Sequence, residues 1–135
     1  MECLFCSIAK KEIPAEVIYE DAANMAFLDI HPKAPGHTMV IPKVHVENIL
    51  ELKRPDIGPL FGAVKEVTAK LNRVFGPAGF SIGINHGKAG GQVVDHLHVH
   101  VIPRFSNDGG GSIHSVVENP PKESIKKIAQ KIRGL

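Results

Sequence analysis

Three histidines stand at alternate positions in His96-Leu97-His98-Val99-His100. On a β-strand, residues two apart share a face. This spacing predicts imidazoles along one side of a strand, with Leu97, Val99 and Val101 pointing into a core. Near neutral pH an imidazole serves as metal ligand, general base or nucleophile. A solvated strand face that happens to be rich in histidine is the alternative. The chain just upstream weighs against that alternative. Gly90-Gly91 permits backbone conformations that other residues avoid, so successive N–H groups can converge on an anion, and Gln92 adds a side-chain amide. An N–H cradle beside a histidine row suits phosphoryl chemistry, although a Gly-Gly-Gln loop taken alone reads only as a turn.

A second candidate centre lies at the N-terminus. Cys3 and Cys6, spaced C-x-x-C, are the two cysteines of the chain. Such a pair is a metal half-site or a redox couple. A structural zinc takes four ligands, so the pair needs partners, and His31, His45, His86 and His96 are the candidates. Two free thiols or a redox pair is the other reading, but no strand precedes the motif as a thioredoxin-like context requires.

The elements that position these groups follow from periodicity. Val17–Glu20 and Asn24–Leu28 read as strands around the turn-prone Asp21-Ala22-Ala23, and His37–Ile41 reads as a third, bounded by Gly36 and Pro42. Leu60, Val64, Val67, Leu71 and Val74 form one apolar helix face, with Pro59 at the expected start and Gly76-Pro77 as the stop. Phe80, Ile82 and Ile84 alternate as a fourth strand. The histidine row predicts a fifth, from about His96 to Ile102. The polar, glycine-rich stretch from Ser106 to Ser112 is expected to be a mobile loop. Ile125, Ile128, Ala129 and Ile132 place a short amphipathic helix in the tail. Strands joined by short turns imply an antiparallel sheet of about five strands with one long helix packed on it, an α+β domain.

Composition sets the frame. The chain has 135 residues, 43% hydrophobic and 22% charged, with a formal net charge of +2. That is the scale of one domain with a competent core. No apolar run approaches the roughly 20 residues of a membrane helix, and Met1 to Cys6 lack the basic and apolar segments of a signal peptide. The charge is too small and too scattered to argue for duplex nucleic acid. The expectation is a soluble, cytoplasmic protein with neither nucleic acid nor membrane as partner.

Gly90 to Ile102, ending in His-x-His-x-His and apolar residues, resembles the signature of the histidine triad (HIT) superfamily. Glu12-Ile13-Pro14-Ala15, Phe27-Leu28-Asp29-Ile30, Pro35-Gly36-His37, Val40-Ile41-Pro42-Lys43 and Asn85-His86-Gly87 resemble members of the Hint-like branch, in the same order. The likeness covers residues 3–104, a HIT domain. Residues 105–135 then form a loop and the C-terminal amphipathic helix. The resemblance implies a HIT-like fold and an enzyme that binds purine, AMP-type nucleotides and splits the bond between the α-phosphate and a leaving group. It makes His98 the nucleophile of a nucleotidyl-histidine intermediate, sets His100 on the phosphate oxygens and has His37 hold His100. It places Asn85, Gly91, Gln92 and Val93 around the phosphate and Asp29 on the ribose hydroxyls. Leu4, Phe5, Ile8, Phe27 and Ile30 match the apolar clamp on the base.

The N-terminal pair is similar to that of a zinc-bearing subset, which implies a structural zinc held by Cys3, Cys6, His45 and His96. The same likeness implies a homodimer. Two departures stand out. Val93 occupies a place where many Hint enzymes carry a serine that assists the leaving group, and the segment after Arg104 does not match the short animal tail. Three functions therefore compete. One is a nucleotidyl hydrolase or transferase acting through His98. The second is a hydrolase with catalytic zinc on His96, His98 and His100. The third is a nucleotide-binding regulator with little catalysis. Phosphoramidates, aminoacyl adenylates and dinucleoside polyphosphates all stay open as substrates.

Overall fold

The computed structural model describes residues 3–134. A short helix α1 (Leu4–Ala9) precedes three strands, β1 (Val17–Glu20), β2 (Asn24–Leu28) and β3 (Thr38–Pro42). The long helix α2 (Arg54–Phe75), two further strands, β4 (Gly79–Gly83) and β5 (Val99–Arg104), and a terminal helix α3 (Ile125–Arg133) complete the chain. The five strands form one sheet in the order β1-β2-β3-β5-β4, and every pairing is antiparallel. The expected α+β class with a five-strand antiparallel sheet is borne out. Among the described residues, no helix is long and apolar enough to cross a membrane.

Both faces of the sheet are covered, and register decides what each face carries. On one face α2 lays Leu60, Val64, Val67 and Leu71 on Ala26, Val40, Val99 and Val101. The stripe expected from sequence is the stripe that is buried, and removing one such leucine costs about 2–5 kcal/mol. On the other face Met25, Phe27, Met39 and Ile41 meet Phe5 and Ile8 of α1. His100 pairs with Met39 on β3 and with Gly83 on β4, so it stands on the α1 face, while its neighbours Val99 and Val101 face α2.

Three local expectations need correction. α2 begins at Arg54, not at Pro59. Pro55 occupies its first turn, where a missing N–H is harmless, and Pro59 lies inside the helix. Near the N-terminus Pro59 forgoes only its bond to the carbonyl four residues back, so the helix continues through it. The last strand starts at Val99 rather than His96. Residues 96–98 keep the alternation without joining the ladder, and the amide of Leu97 donates to the Val46 carbonyl at 2.7 Å. The segment after Arg104 is not a free loop at its root. The Arg104 guanidinium donates to both Asp108 carboxylate oxygens, at 2.8 and 2.9 Å, and to the Gly111 carbonyl at 2.6 Å. Helix α1 was not expected at all. Its six residues are too few to show a period, and its N-terminal cap is the thiol of Cys3, which accepts the Cys6 amide.

Candidate functional site

The histidine row runs from the segment before β5 into the strand and divides its members between two centres. His96 is fully buried. Its Nε2 donates to the Pro42 carbonyl at 2.8 Å, and because a carbonyl only accepts, that nitrogen carries the proton. Nδ1 is thereby left with its lone pair. It faces Cys3 Sγ at 3.3 Å, Cys6 Sγ at 3.5 Å and His45 Nδ1 at 3.3 Å. Cys6 Sγ also lies 3.3 Å from His45 Nδ1.

This donor set fits a metal. Four N and S atoms on a tetrahedron with Zn–N and Zn–S bonds of about 2.0–2.3 Å lie roughly 3.3–3.8 Å apart; four of the donor pairs here stand 3.3–3.5 Å apart, and all four donors lie within 4.8 Å of one another. Of the four candidate histidines, the structure brings His45 and His96 to the cysteines, and His31 and His86 do not join the group. Both cysteines are free thiols. Burial, with the adjacent Cys3 thiol, pushes Cys6 up to about 11.

His98 is bonded differently. Its Nδ1 donates to the backbone carbonyl of His96 at 2.7 Å, so Nδ1 carries the proton and Nε2 holds a lone pair. The ring is backed edge-on by Phe5, with centroids 5.1 Å apart.

His100 belongs to a third arrangement. The Lys33 amide donates to His37 Nδ1 at 3.1 Å, which fixes that nitrogen as unprotonated and puts the proton of neutral His37 on Nε2. His37 Nε2 then donates to His100 Nδ1 at 2.9 Å, which leaves the proton of His100 on its own Nε2. Burial, with His98 and His37 alongside, pushes His100 down to about 4. Burial also lowers His37, against the opposing pull of Asp29. Both rings are neutral near pH 7. Asp29 Oδ2 lies 3.6 Å from His37 Nε2, while Asp29 Oδ1 accepts the His31 amide at 2.8 Å. A cleft of about 410 Å³ opens here, lined by Asp29, Lys33 and His37 among others.

The loop before the row folds otherwise than its sequence suggests. The amides of Gly90, Gly91 and Gln92 donate to the carbonyls of Gly87, Lys88 and Gly87 again, so the loop closes on itself. The Gln92 side chain accepts from the Gly87 amide and donates to the Glu47 and Val94 carbonyls, bracing the loop rather than offering a free amide. Among the described residues, the amides of Val93 and Val94 donate to no protein acceptor. Asn85 packs its side-chain amide beside Gly91, whose φ of +93° only glycine adopts readily.

Of the apolar residues expected around a base, Leu4 and Ile30 present surface, at 47% and 84% exposure, and Val93 beside the loop is 90% exposed. Phe5, Ile8 and Phe27 are buried in the core cluster on the α1 face. Three contributors escaped sequence reasoning. The Lys33 amide and the Pro42 and His96 carbonyls set imidazole tautomers through backbone atoms, which leave no trace in residue type. The three triad histidines do not converge as one metal group among the described residues. His96 sits with the cysteines and His45, and His100 with His37 and Asp29.

Fold and site together define an α+β protein with a histidine row leading into β5, between β3 and the edge strand β4, and a Cys/His centre at its N-terminus. The chain belongs to the histidine triad family: the HIT domain profile matches residues 10–107. A HIT-like protein of Methanocaldococcus jannaschii is 39% identical over 125 residues, which span 93% of this chain and 96% of the relative. The adenosine 5'-monophosphoramidase of Schizosaccharomyces pombe is 35% identical over 132 residues, 98% of this chain and 96% of its own. The crystal structure of a HIT family member from Bacillus subtilis superposes with a TM-score of 0.87 at 35% identity, covering 99% of this chain and 96% of that one. By this kinship the chain is an enzyme, a HIT-family hydrolase.

Proposed function

We propose that the protein cleaves the bond between the α-phosphate of a purine nucleotide and its leaving group, through a nucleotidyl intermediate on His98. One observation carries the reading. The His98 Nδ1 proton is committed to the His96 carbonyl at 2.7 Å, so Nε2 is the nitrogen with a lone pair to offer. A neutral nucleophile suits an anionic phosphate.

In the first step His98 Nε2 bonds to phosphorus and the bond to the leaving group breaks, the departing atom taking up a proton from water. Positive charge then develops on the ring, and the His96 carbonyl stabilises it through the Nδ1 proton. His100 presents its Nε2–H to a non-bridging phosphate oxygen, whose charge grows during transfer. In the second step water adds to phosphorus, the N–P bond breaks and His98 returns to its starting form. Asp29 takes the ribose hydroxyls. Leu4 and Ile30 supply exposed apolar contact to the base, with Phe5, Ile8 and Phe27 supporting them from within. Asn85, Gly91, Gln92 and Val93 border the phosphate, where the unbonded amides of Val93 and Val94 are available donors. Val93 has no hydroxyl to relay a proton to the leaving group, so that proton is drawn from water. The relative named as an adenosine 5'-monophosphoramidase makes phosphoramidates the first substrates to try.

Cys3, Cys6, His45 and His96 would hold a structural zinc, which braces α1 against the strands and takes no part at the phosphate. The free thiols of this set fit a reducing compartment such as the cytoplasm. β4 is an unpaired edge with Ile82 47% exposed, and Phe61 beside it on α2 is 42% exposed. An open apolar edge of this kind is what a two-fold partner covers, and we take the working form to be a homodimer.

The test is purified protein against adenosine phosphoramidates, aminoacyl adenylates and dinucleoside polyphosphates, with products identified and the enzyme quenched during turnover. Release of the nucleoside monophosphate together with an acid-labile, base-stable nucleotide on His98 is the expected result. Turnover that follows added metal and survives His98→Ala would place the chemistry elsewhere.

A further inference from the structure

The phosphate chemistry makes no use of the thiols of Cys3 and Cys6. Cys3 Sγ accepts the Cys6 amide at 3.3 Å, and both sulfurs turn toward His96 Nδ1, at 3.3 and 3.5 Å. The two sulfurs therefore lie on one side of the chain, within 4.8 Å of each other. Cys-x-x-Cys is the spacing at which dithiol oxidoreductases close a disulfide, so the pair can be joined without rearranging the backbone around it. A reagent can also reach it. Both cysteines are half-buried, and both line a surface cleft of about 630 Å³.

What depends on the pair is the wall for the base. α1 has six residues, too few to stand in water without packing. Phe5 and Ile8 hold it to the sheet, and a metal shared with His45 and His96 would tie down its first turn. Leu4 and Phe5, both assigned to the base, lie between the cysteines and inside the ring that a Cys3–Cys6 bond closes. Phe5 also stands edge-on to His96 and His98, with centroids 6.0 and 5.1 Å away.

We propose that Cys3 and Cys6 are a redox site: a hydroperoxide joins them as a disulfide, the metal is released and nucleotide binding weakens. The inference rests on the zinc and nucleotide readings above. One thiolate attacks a peroxide oxygen; an S–O bond forms, the O–O bond breaks and the departing oxygen takes a proton. The second thiolate attacks that sulfur, forming the S–S bond as the S–O bond breaks and its oxygen leaves with a proton as water. Two thiolates, one hydrogen peroxide and two protons give one disulfide and two waters, and the sulfurs lose the electrons that the peroxide gains. A disulfide sulfur is no longer a thiolate ligand, and His45 and His96 alone do not complete a four-ligand site. Leu4 and Phe5 shift with the new ring, whereas the bond from His98 Nδ1 to the His96 carbonyl involves no sulfur. Oxidation acts on affinity for the base more than on the chemical step.

The test adds hydrogen peroxide in small molar excess to the full, zinc-loaded chain. Metal release is followed with a chromophoric chelator, thiol state by peptide mass mapping, and kinetics with an adenosine phosphoramidate. The peptide holding Cys3 and Cys6 should become lighter by about 2 Da, with metal released at the same rate. KM should rise roughly tenfold, the share of a leucine-sized contact, with kcat little changed. A phosphine reductant with added zinc should return KM to its starting value. Thiols that persist, or that pass to sulfinic acid without a disulfide, overturn the proposal. So does a disulfide that forms with the metal retained or with KM unchanged. A chain that holds no zinc when purified without chelator overturns the zinc reading and this one with it. A zinc-loaded chain that turns over no substrate overturns the nucleotide chemistry alone. Disulfide and metal release then decide the redox site, and calorimetry with AMP replaces KM, unchanged affinity again overturning the link.

Discussion

His98 and His100 are two residues apart, yet their hydrogen bonds give them opposite chemistry. His98 donates from Nδ1 and keeps a lone pair at Nε2. His100 accepts at Nδ1 from His37 and keeps a proton at Nε2. His98→Ala is therefore expected to abolish product release while nucleotide affinity, measured by calorimetry, stays near that of the wild type. His100→Ala should slow turnover less, because it removes a donor and not the bond-forming atom. A pH dependence of stability follows from burial. His100 is pushed from its ordinary 6.5 down to about 4, so in this window the unfolded chain binds a proton that the native state refuses. Stability is full above about pH 6.5 and falls as pH drops toward 4. His100→Gln removes this contribution, so the urea midpoint of the wild type should fall more steeply over that window than the variant's. Metal loss in acid affects both proteins, and the difference between them isolates His100. The residue types in the row were legible in the sequence. The assignment of protons was not, because it depends on carbonyls and amides of Pro42, His96 and Lys33.

At the scale of elements, the site is held by a loop and a short helix. The loop from Asp29 to His37 brings in the Asp29 carboxylate, the Lys33 amide and His37. It turns at Gly36, where φ is +85° and an added Cβ would meet the Phe75 ring at 2.7 Å. Gly36→Ala is expected to destabilise the fold by about 1–3 kcal/mol through strain and overpacking, and turnover per folded molecule should drop as His37 shifts from His100. Denaturant titration and kinetics on the same sample read the two effects separately. α1 depends on Cys3 at its N-terminal cap, on Cys6 within the helix and on the buried Phe5 and Ile8. Cys3→Ser should release about one zinc per chain, lower Tm and speed hydrogen exchange along α1, while turnover per folded molecule changes less. The strands were readable because alternation and turn residues agree over Val17–Glu20 and Asn24–Leu28. The helix start was misread because Pro59 looks like a boundary, whereas Pro55 already serves as one. The bonds of the Gln92 side chain were not legible, because an amide that braces a loop and one that binds an anion are the same letter.

Among the described residues, the β4 edge with α2 and the tail helix are apolar surfaces left uncovered. A species of twice the chain mass is expected in sedimentation at micromolar concentration, and a single species of 14.6 kDa would contradict it. The order of layers was legible from the change of period at Leu60 and again at Phe80. The partition of the histidines between two centres was not, since it needs the sheet to bring residues 37, 45 and 96–100 together. That dependence has a temporal side. β1, β2 and β3 are neighbours in sequence and in the sheet, whereas β3 pairs with β5 through Met39 and His100, roughly 60 residues apart in the chain. Hairpins of near neighbours close quickly, and a distant pairing waits on loop closure. On a ribosome the first three strands emerge and pair while the histidine row is still unmade. His37 then has no ring to hold and the cysteines lack His96. The histidine row is thus among the last groups to be set in place, and a chain interrupted before His96 carries α1, the first three strands and α2 but neither histidine centre.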